Sequence, residues 1–241
     1  MKQSQALISQ NYEENNKIAL RHFYRVKQLL VDFSKKSKIL DCGCGKGVLS
    51  NILFENGRNV YACDLDRKQF KAKNIPFKFA NLNKKLPYKN DFFDCVICLE
   101  VIEHLENPWL LIREIHRVLN KNGLLIISSP NISNCLARIY YLFTGEIWFF
   151  KKHDSDHINP ISFWEIKSIL KKTGFKKQNL LEGVNIIENV DIVTKIKNPL
   201  IKFIYNLFFK TWGFLYSLLN YGKTESHILF RTFSYIIGAQ K

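Results

Sequence analysis

The stretch Lys38–Ser50, KILDCGCGKGVLS, decides how this chain folds. Ile39 and Leu40 close an apolar run, as a buried strand does, and Asp41 stands at its tip. Gly43, Gly45 and Gly47 follow at every second position, and Val48-Leu49 opens a helix. Glycines so spaced let the backbone turn sharply and pass close to a ligand with no Cβ in the way. A helix start behind them leaves N–H groups free for an anion. A small charged molecule over the turn is one reading, and a bare glycine turn is the other. A dinucleotide site reads G-x-G-x-x-G/A. Counted from Gly43 its third position falls on Val48, so that site is excluded.

The pattern that does stand there, acid-x-G-x-G-x-G from Asp41 to Gly47, resembles the first motif of the class I S-adenosylmethionine-dependent methyltransferases. A carboxylate at the strand tip suits a ligand whose methionine end carries an ammonium and a sulfonium. The resemblance implies that Asp41, Gly43, Cys44, Gly45 and Gly47 form the cofactor turn. Asn59–Cys63 reads as the second strand and ends at Asp64, about twenty residues past the turn, where a carboxylate can hold both ribose hydroxyls. Asp64 and Leu65 are therefore cofactor candidates, and Asp66 reads as a local cap. Phe77–Ala80 is a short third strand. After it the family usually carries an Asp toward the adenine amine; here Asn81 stands in that place, followed by Leu82. An amide carbonyl can still accept that hydrogen bond.

Leu86 to Asn131 carries a second resemblance. L-P-[FY]-x-x-x-x-F-D, a strand, E-V-I-E-H-L, a helix, N-G, a strand and S-P-N belong to one branch of the family. That branch holds small-molecule enzymes of the ubiquinone-biosynthesis type and many of surface-polysaccharide pathways. Phe93–Leu99, apolar but for Asp94, reads as a strand covered on both faces. Pro108 starts a helix that Asn122-Gly123 is expected to end, and Leu124–Ile127 is the fifth strand. Alternating strands and helices mean a doubly wound, mostly parallel sheet. Ligands of such sheets lie at the carboxyl ends of the strands. Asp41, Asp64, Asn81, Glu100 and Ser129 all fall there, which weighs more than any single motif. The expected fold is α/β: a Rossmann-like seven-stranded sheet, parallel but for an antiparallel last strand, with a helical insert before that strand.

The expected reaction is in-line transfer of a methyl group to an oxygen, less readily a nitrogen, with no metal. His104, in the loop after the fourth strand, is a candidate base, because imidazole titrates near neutrality; the alternative is that Glu103 and His104 only hold the loop. His153, Asp154, Asp156 and His157 follow an aromatic stretch, Arg138–Phe150. The branch often carries D-H-x-x-x-[FY]-[ST] at this place. Asp156-His157, with Ser162 and Phe163-Trp164 beyond, falls near that pattern and implies a substrate-side loop with His157 as acid or base. A structural role is as well supported, and a metal set less so. No [DNS]-P-P-[YFW] follows the fourth strand and no Pro-Cys nucleophile is present, which argues against methylation of nucleic-acid bases of those kinds.

The 241 residues are enough for one large domain, and 46% hydrophobic content excludes wholesale disorder. The division expected is an N-terminal helical cap at 1–36, a cofactor-binding half at 37–131 and a substrate half at 132–241. The cap helix, from about Glu14 to Phe33, is either a lid or ordinary packing. A net charge of +15 favours anionic partners, or merely keeps a lysine-rich chain soluble. Of six cysteines, five fall on strands or the glycine turn. Cys95 and Cys98 have C-x-x-C spacing, but on a strand they face opposite ways, which argues against a zinc or redox pair. Reduced thiols and a polar N-terminus with no signal-peptide core point to the cytoplasm. Residues 199–221 are apolar and aromatic with a narrow polar stripe, long enough at roughly twenty residues to span a bilayer. The last strand must return to the sheet, so this helix is expected to lie at the inner face of a membrane, or to pack internally or in a homodimer. The acceptor expected is a small molecule, such as a quinone precursor, or a lipid-linked glycan. Nucleic acid is supported by charge alone. A non-catalytic module that keeps the fold and ligand is the competing class.

Overall fold

The computed structural model describes residues 26–147, 156–182, 199 and 234–241. Seven strands form one sheet: β1 (Lys38–Cys42), β2 (Asn59–Asp64), β3 (Phe77–Phe79), β4 (Phe93–Cys98), β5 (Leu119–Pro130), β6 (Lys176–Glu182) and β7 (Ser234–Gln240). Their order is β3-β2-β1-β4-β5-β7-β6. β7 runs antiparallel between β5 and β6, and the pairs from β3 through to β5 are parallel. The seven-stranded sheet expected from the sequence, with its antiparallel last strand, is the one observed; the helical insert expected before that strand lies outside the described residues.

Side-chain alternation builds two cores. Leu40, Cys42, Val96, Cys98, Leu125, Ile127, Tyr235 and Ile237 face one side; Ile39, Cys95, Ile97, Ile126 and Ile236 face the other. A parallel sheet must be covered on both faces, because its crossover helices lie there. The first face is covered by α2 (Pro108–Val118) and α4 (Phe163–Lys172), through Leu111, Ile112, Ile115, Val118, Ile166, Ile169 and Leu170. The second is covered by α1 (Val48–Glu55), through Leu49 and Leu53, and by Val26 and Leu30 next to a helical stretch at 26–29. Cys95 and Cys98 lie in opposite cores, and all six cysteines are free thiols.

The starts and stops follow local chemistry. Asn107 caps α2 by accepting from the Leu110 N–H at 3.0 Å, with Pro108 at the first helical position. Ser162 caps α4 through the Glu165 N–H, and Gly174 follows the helix at φ 99°. Two boundaries differ from expectation. The helix expected to run to Asn122-Gly123 ends at Val118, and β5 starts at Leu119. Asn120–Gly123 bulge from the strand: Phe93 pairs with Leu119, but Cys95 pairs with Leu124. Asn122, at φ 66°, makes that bulge rather than a helix cap. The aromatic stretch from Arg138 also begins inside an unexpected helix, α3 (Cys135–Thr144), capped by Asn134 on the Ala137 N–H at 2.8 Å and stopped by left-handed Gly145.

The cap helix before residue 26, His153, Asp154 and the 199–221 helix lie outside the described residues, save Pro199. Among the described residues no helix is long and apolar enough to cross a membrane.

Candidate active site

The carboxyl ends of β1, β2, β4 and β5 assemble the site. The glycine turn is tied across β2, the Gly43 and Cys44 N–H groups donating to the Cys63 carbonyl at 2.9 and 3.2 Å. Gly43, Gly45 and Gly47 all lie in the left-handed region, at φ 78°, 50° and 79°. Their reasons differ. A Cβ on Gly43 would come within 2.5 Å of Val101, and one on Gly47 within 2.6 Å of Phe70. One on Gly45 would meet nothing within 4 Å among the described residues. Gly43 and Gly47 are glycine for packing; Gly45 floors an open cradle.

Two carboxylates stand beside the cradle. Asp64 accepts from the Gly45 N–H at 2.8 Å and, through its other oxygen, from the Asp66 N–H at 3.1 Å. These bonds fix the carboxylate and leave lone pairs for hydroxyl donors, since a carboxylate offers about four acceptor sites. Asp41 is buried and accepts from the Ser50 hydroxyl at 2.5 Å. Burial lifts it to about 6, against the Ser50 bond and with help from Asp64. A cation brought next to it reverses that shift. Cys44 is inert: burial, then Asp41 and Asp64, push its thiol well up and keep it protonated. Leu65 is 58% exposed beside Asp64, while Leu82 is buried under Gly43. Asn81 folds back on itself, its Oδ1 accepting from the Asn83 N–H at 2.9 Å, which leaves one lone pair of that oxygen.

Glu100 ends β4 in the left-handed region, at φ 53°. Its N–H donates to Ser128 Oγ, whose hydroxyl donates back to Glu100 Oε1 at 2.7 Å. A helical turn at Ile102–His104 then buries Glu103 completely. Burial raises both acids, and Glu100 raises Glu103 further. Ser129 donates weakly to Glu103 Oε2, at 3.4 Å, while among the described residues Glu103 Oε1 and the Tyr235 hydroxyl have no hydrogen-bond partner.

The turn also captures the distant loop. The Glu103 carbonyl accepts from the Ile158 and Asn159 N–H groups at 3.0 and 2.9 Å, and Asn159 donates to the Leu105 carbonyl. His157 is thereby laid against His104, with ring centres 4.6 Å apart. His104 Nδ1 lies 2.7 Å from the Asp156 carbonyl. A carbonyl only accepts, so Nδ1 carries a proton, and in the neutral ring the lone pair is on Nε2. Both histidines singled out in the sequence thus share one place. Glu103, passed over as a loop holder, lies within 4.8 Å of them through its ligand-bearing atoms, as a group that can hold a cation or move a proton. The sequence reading assigned no metal. The signal for Glu103 was its position next to His104, but its burial follows from the turn and is invisible in the sequence.

A sheet of this order with an acid-x-G-x-G-x-G turn and a ribose-type acid after β2 defines a class I S-adenosylmethionine-dependent methyltransferase fold. The chain belongs to the methyltransferase-domain family, whose model matches residues 14–180. The ubiquinone biosynthesis O-methyltransferase of Rickettsia typhi is 30% identical over 175 residues, 67% of this chain and 70% of that protein. The protein of the same name from Psychrobacter arcticus is 25% identical over 157 residues, so the chain spans 61% of its length. A SAM-dependent methyltransferase from Archaeoglobus fulgidus shares the fold, with a TM-score of 0.65 at 19% identity over 96% of this chain and 99% of that one. The cofactor is S-adenosylmethionine, and the residues fit it. The open space over Gly45 admits backbone contact, the fixed Asp64 faces it, and buried Asp41 favours a cation nearby.

Proposed function

We propose that the protein methylates a hydroxyl group of a small-molecule acceptor. The observation that carries this is His104: its Nδ1 is committed to the Asp156 carbonyl, so Nε2 presents a lone pair at the carboxyl edge of the sheet. A lone pair there takes the proton that a hydroxyl loses as its oxygen is alkylated. S-adenosylmethionine, when bound, supplies an electrophilic methyl group on a sulfonium. Asp64 and the glycine turn hold the nucleoside end, and Asp41 stands by the charged end. His157 packs on His104 and steadies its ring, and the Asn159 and Ile158 contacts hold the acceptor-side loop closed on Glu103. Positioning supplies most of the acceleration in such a site.

The names of the Rickettsia and Psychrobacter relatives support oxygen as the methylated atom and a hydroxylated quinone precursor as the acceptor class. The test is an acceptor screen read by mass spectrometry for S-adenosylhomocysteine and a methylated product, with phenols and catechols carrying short prenyl chains. His104→Gln should lower kcat by about 100- to 10,000-fold, the usual share of a general base, with cofactor affinity unchanged. Turnover of amines alone, or full activity in His104→Gln, refutes the reading.

A further inference from the structure

The sheet has a second concave site, on the face that carries α2 and lined by none of the residues of the glycine turn. No helix joins β3 to β4; residues 80–92 cross as a loop. The β2–β3 end of the face that carries α2 is therefore roofed by loop alone, and a cavity of about 630 Å³ opens under it. Ligand pockets fall in the range of about 300–1,000 Å³. Its floor is aromatic. Tyr61 stands edge-on to Phe92 at 5.6 Å, and Tyr88 stacks on Phe92 at 6.5 Å. Tyr61 and Phe92 are only half-buried, so part of each ring faces the opening. Tyr61 pairs with Leu40 in mid-strand, two residues before Cys63, whose carbonyl ties the glycine turn.

Its rim is basic. Lys78, Lys85 and Lys89 line it and are exposed. Lys78 Nζ bridges the mouth, 4.8 Å from the Tyr88 ring centre and 2.9 Å from the Pro87 carbonyl. Of the nearby acids, Glu114 pairs with Arg117 and Asp91 with Lys241. Among the described residues none of the three lysines lies in a salt bridge, and Lys85 acts on Glu114 only as a more distant charge, behind Arg117 and the Leu86 N–H. The rim belongs to a wider field. Residues 66–91 hold eight lysines and arginines against Asp66 and Asp91, a net +6 of the chain's +15. Lysines that merely guard an open strand edge need no pocket between them; these surround one walled by rings.

We propose that this cavity is a second binding site, for an aromatic anion: a flat ring seated against Tyr61 and Phe92, with a phosphate group held by Lys85, Lys89 and Lys78. Rings supply stacking area for a planar body, and ammonium groups supply point charges suited to phosphate. The site is independent of the methyl-transfer reading, since it uses none of the residues of the glycine turn or the histidine pair.

The experiment uses the full chain saturated with S-adenosylhomocysteine, so that the nucleoside site is filled. Phenyl phosphate and adenosine monophosphate are titrated calorimetrically, with inorganic phosphate as the control. The site predicts saturable binding of both aromatic phosphates, at least about tenfold tighter than inorganic phosphate, which is about 1.4 kcal/mol. Lys85→Gln/Lys89→Gln and, separately, Tyr61→Leu should each weaken it fivefold or more. The lysines are exposed, so their variant keeps its fold, checked by an unchanged melting temperature. No binding at millimolar concentration, equal affinity for inorganic phosphate, or binding indifferent to the lysine pair overturns the proposal. Tight binding of an RNA oligonucleotide that depends on the same lysines, without binding of phenyl phosphate, also overturns it and assigns the basic edge to nucleic acid.

Discussion

Replacing Gly45 and Gly47 by alanine separates a glycine kept for the cofactor from one kept for packing. Both sit in the left-handed region, so each alanine pays roughly 1–2 kcal/mol of backbone strain. At Gly47 the new methyl would stand 2.6 Å from Phe70 Cε2 and 3.1 Å from Ala72 Cβ, and overpacking adds about 1–3 kcal/mol. At Gly45 it meets no atom of the described residues within 4 Å. In a chain of this length about 1 kcal/mol moves the melting temperature by about 2–4 °C. Gly45→Ala should therefore melt about 2–8 °C below wild type, and Gly47→Ala about 4–20 °C below. The ranking inverts with cofactor. At about 100 times its Kd a ligand stabilises by about 2.7 kcal/mol. Wild type and any folded Gly47→Ala protein should keep most of that upshift, while Gly45→Ala should lose it, because its methyl fills the cradle. Differential scanning fluorimetry with and without S-adenosylmethionine reads both numbers in one plate. A full cofactor upshift in Gly45→Ala would refute the assignment of the open space over that residue.

Other outcomes follow from the same geometry. Asp64→Ala removes the acceptor of the Gly45 N–H and the proposed ribose partner together, and should weaken S-adenosylmethionine by at least about tenfold in calorimetry; unchanged affinity would detach β2 from the cofactor site. Asp41 titrates near 6, so its negative charge is present above that pH and lost below it. If only the ionised form holds the cationic end, affinity at pH 5 should be about tenfold below that at pH 7, with a flat profile in Asp41→Asn. The raised value also means that Asp41 contributes most to stability below its unfolded value of 3.8 and that this is lost as pH rises through about 6. Asp41→Asn should accordingly raise the melting temperature of the cofactor-free protein at pH 8 and hardly at pH 3.5; the reverse order would show that the carboxylate is not held neutral by burial. Cys44 should resist iodoacetamide at pH 8 despite its partial exposure, because burial and two acids keep it a thiol; rapid labelling, followed by mass spectrometry, would contradict that.

Much of the site could be read from the chain because strand tips are local events. An apolar run, a terminal acid and a glycine turn place Asp41, Gly43, Gly45 and Gly47 without reference to any other segment. A parallel sheet then forces Asp64, Asn81, Glu100 and Ser129 to the same edge, because every crossover returns each strand in the same direction. Local chemistry was less decisive where two signals competed. Asn122-Gly123 suits a helix stop and a bulge equally, and pairing with β4 chose the bulge. The aromatic stretch hid α3, whose caps, Asn134 and Gly145, were present in the sequence but outweighed by the density of rings.

The sequence by itself determined the fold class and the glycine turn behind Asp41, and it singled out both histidines, since each rests on neighbouring residues and a fixed strand period. Only the tertiary structure decided what those residues do together. It laid His157 on His104 across more than fifty positions through two backbone bonds to the Glu103 carbonyl, and it buried Glu103 beneath them. It also set three lysines of one basic stretch, Lys78, Lys85 and Lys89, around the mouth of a pocket left where no helix joins β3 to β4. Burial, and the pKa shifts and charge fields that follow from it, are properties of which segments end up side by side, and no local pattern carries that information.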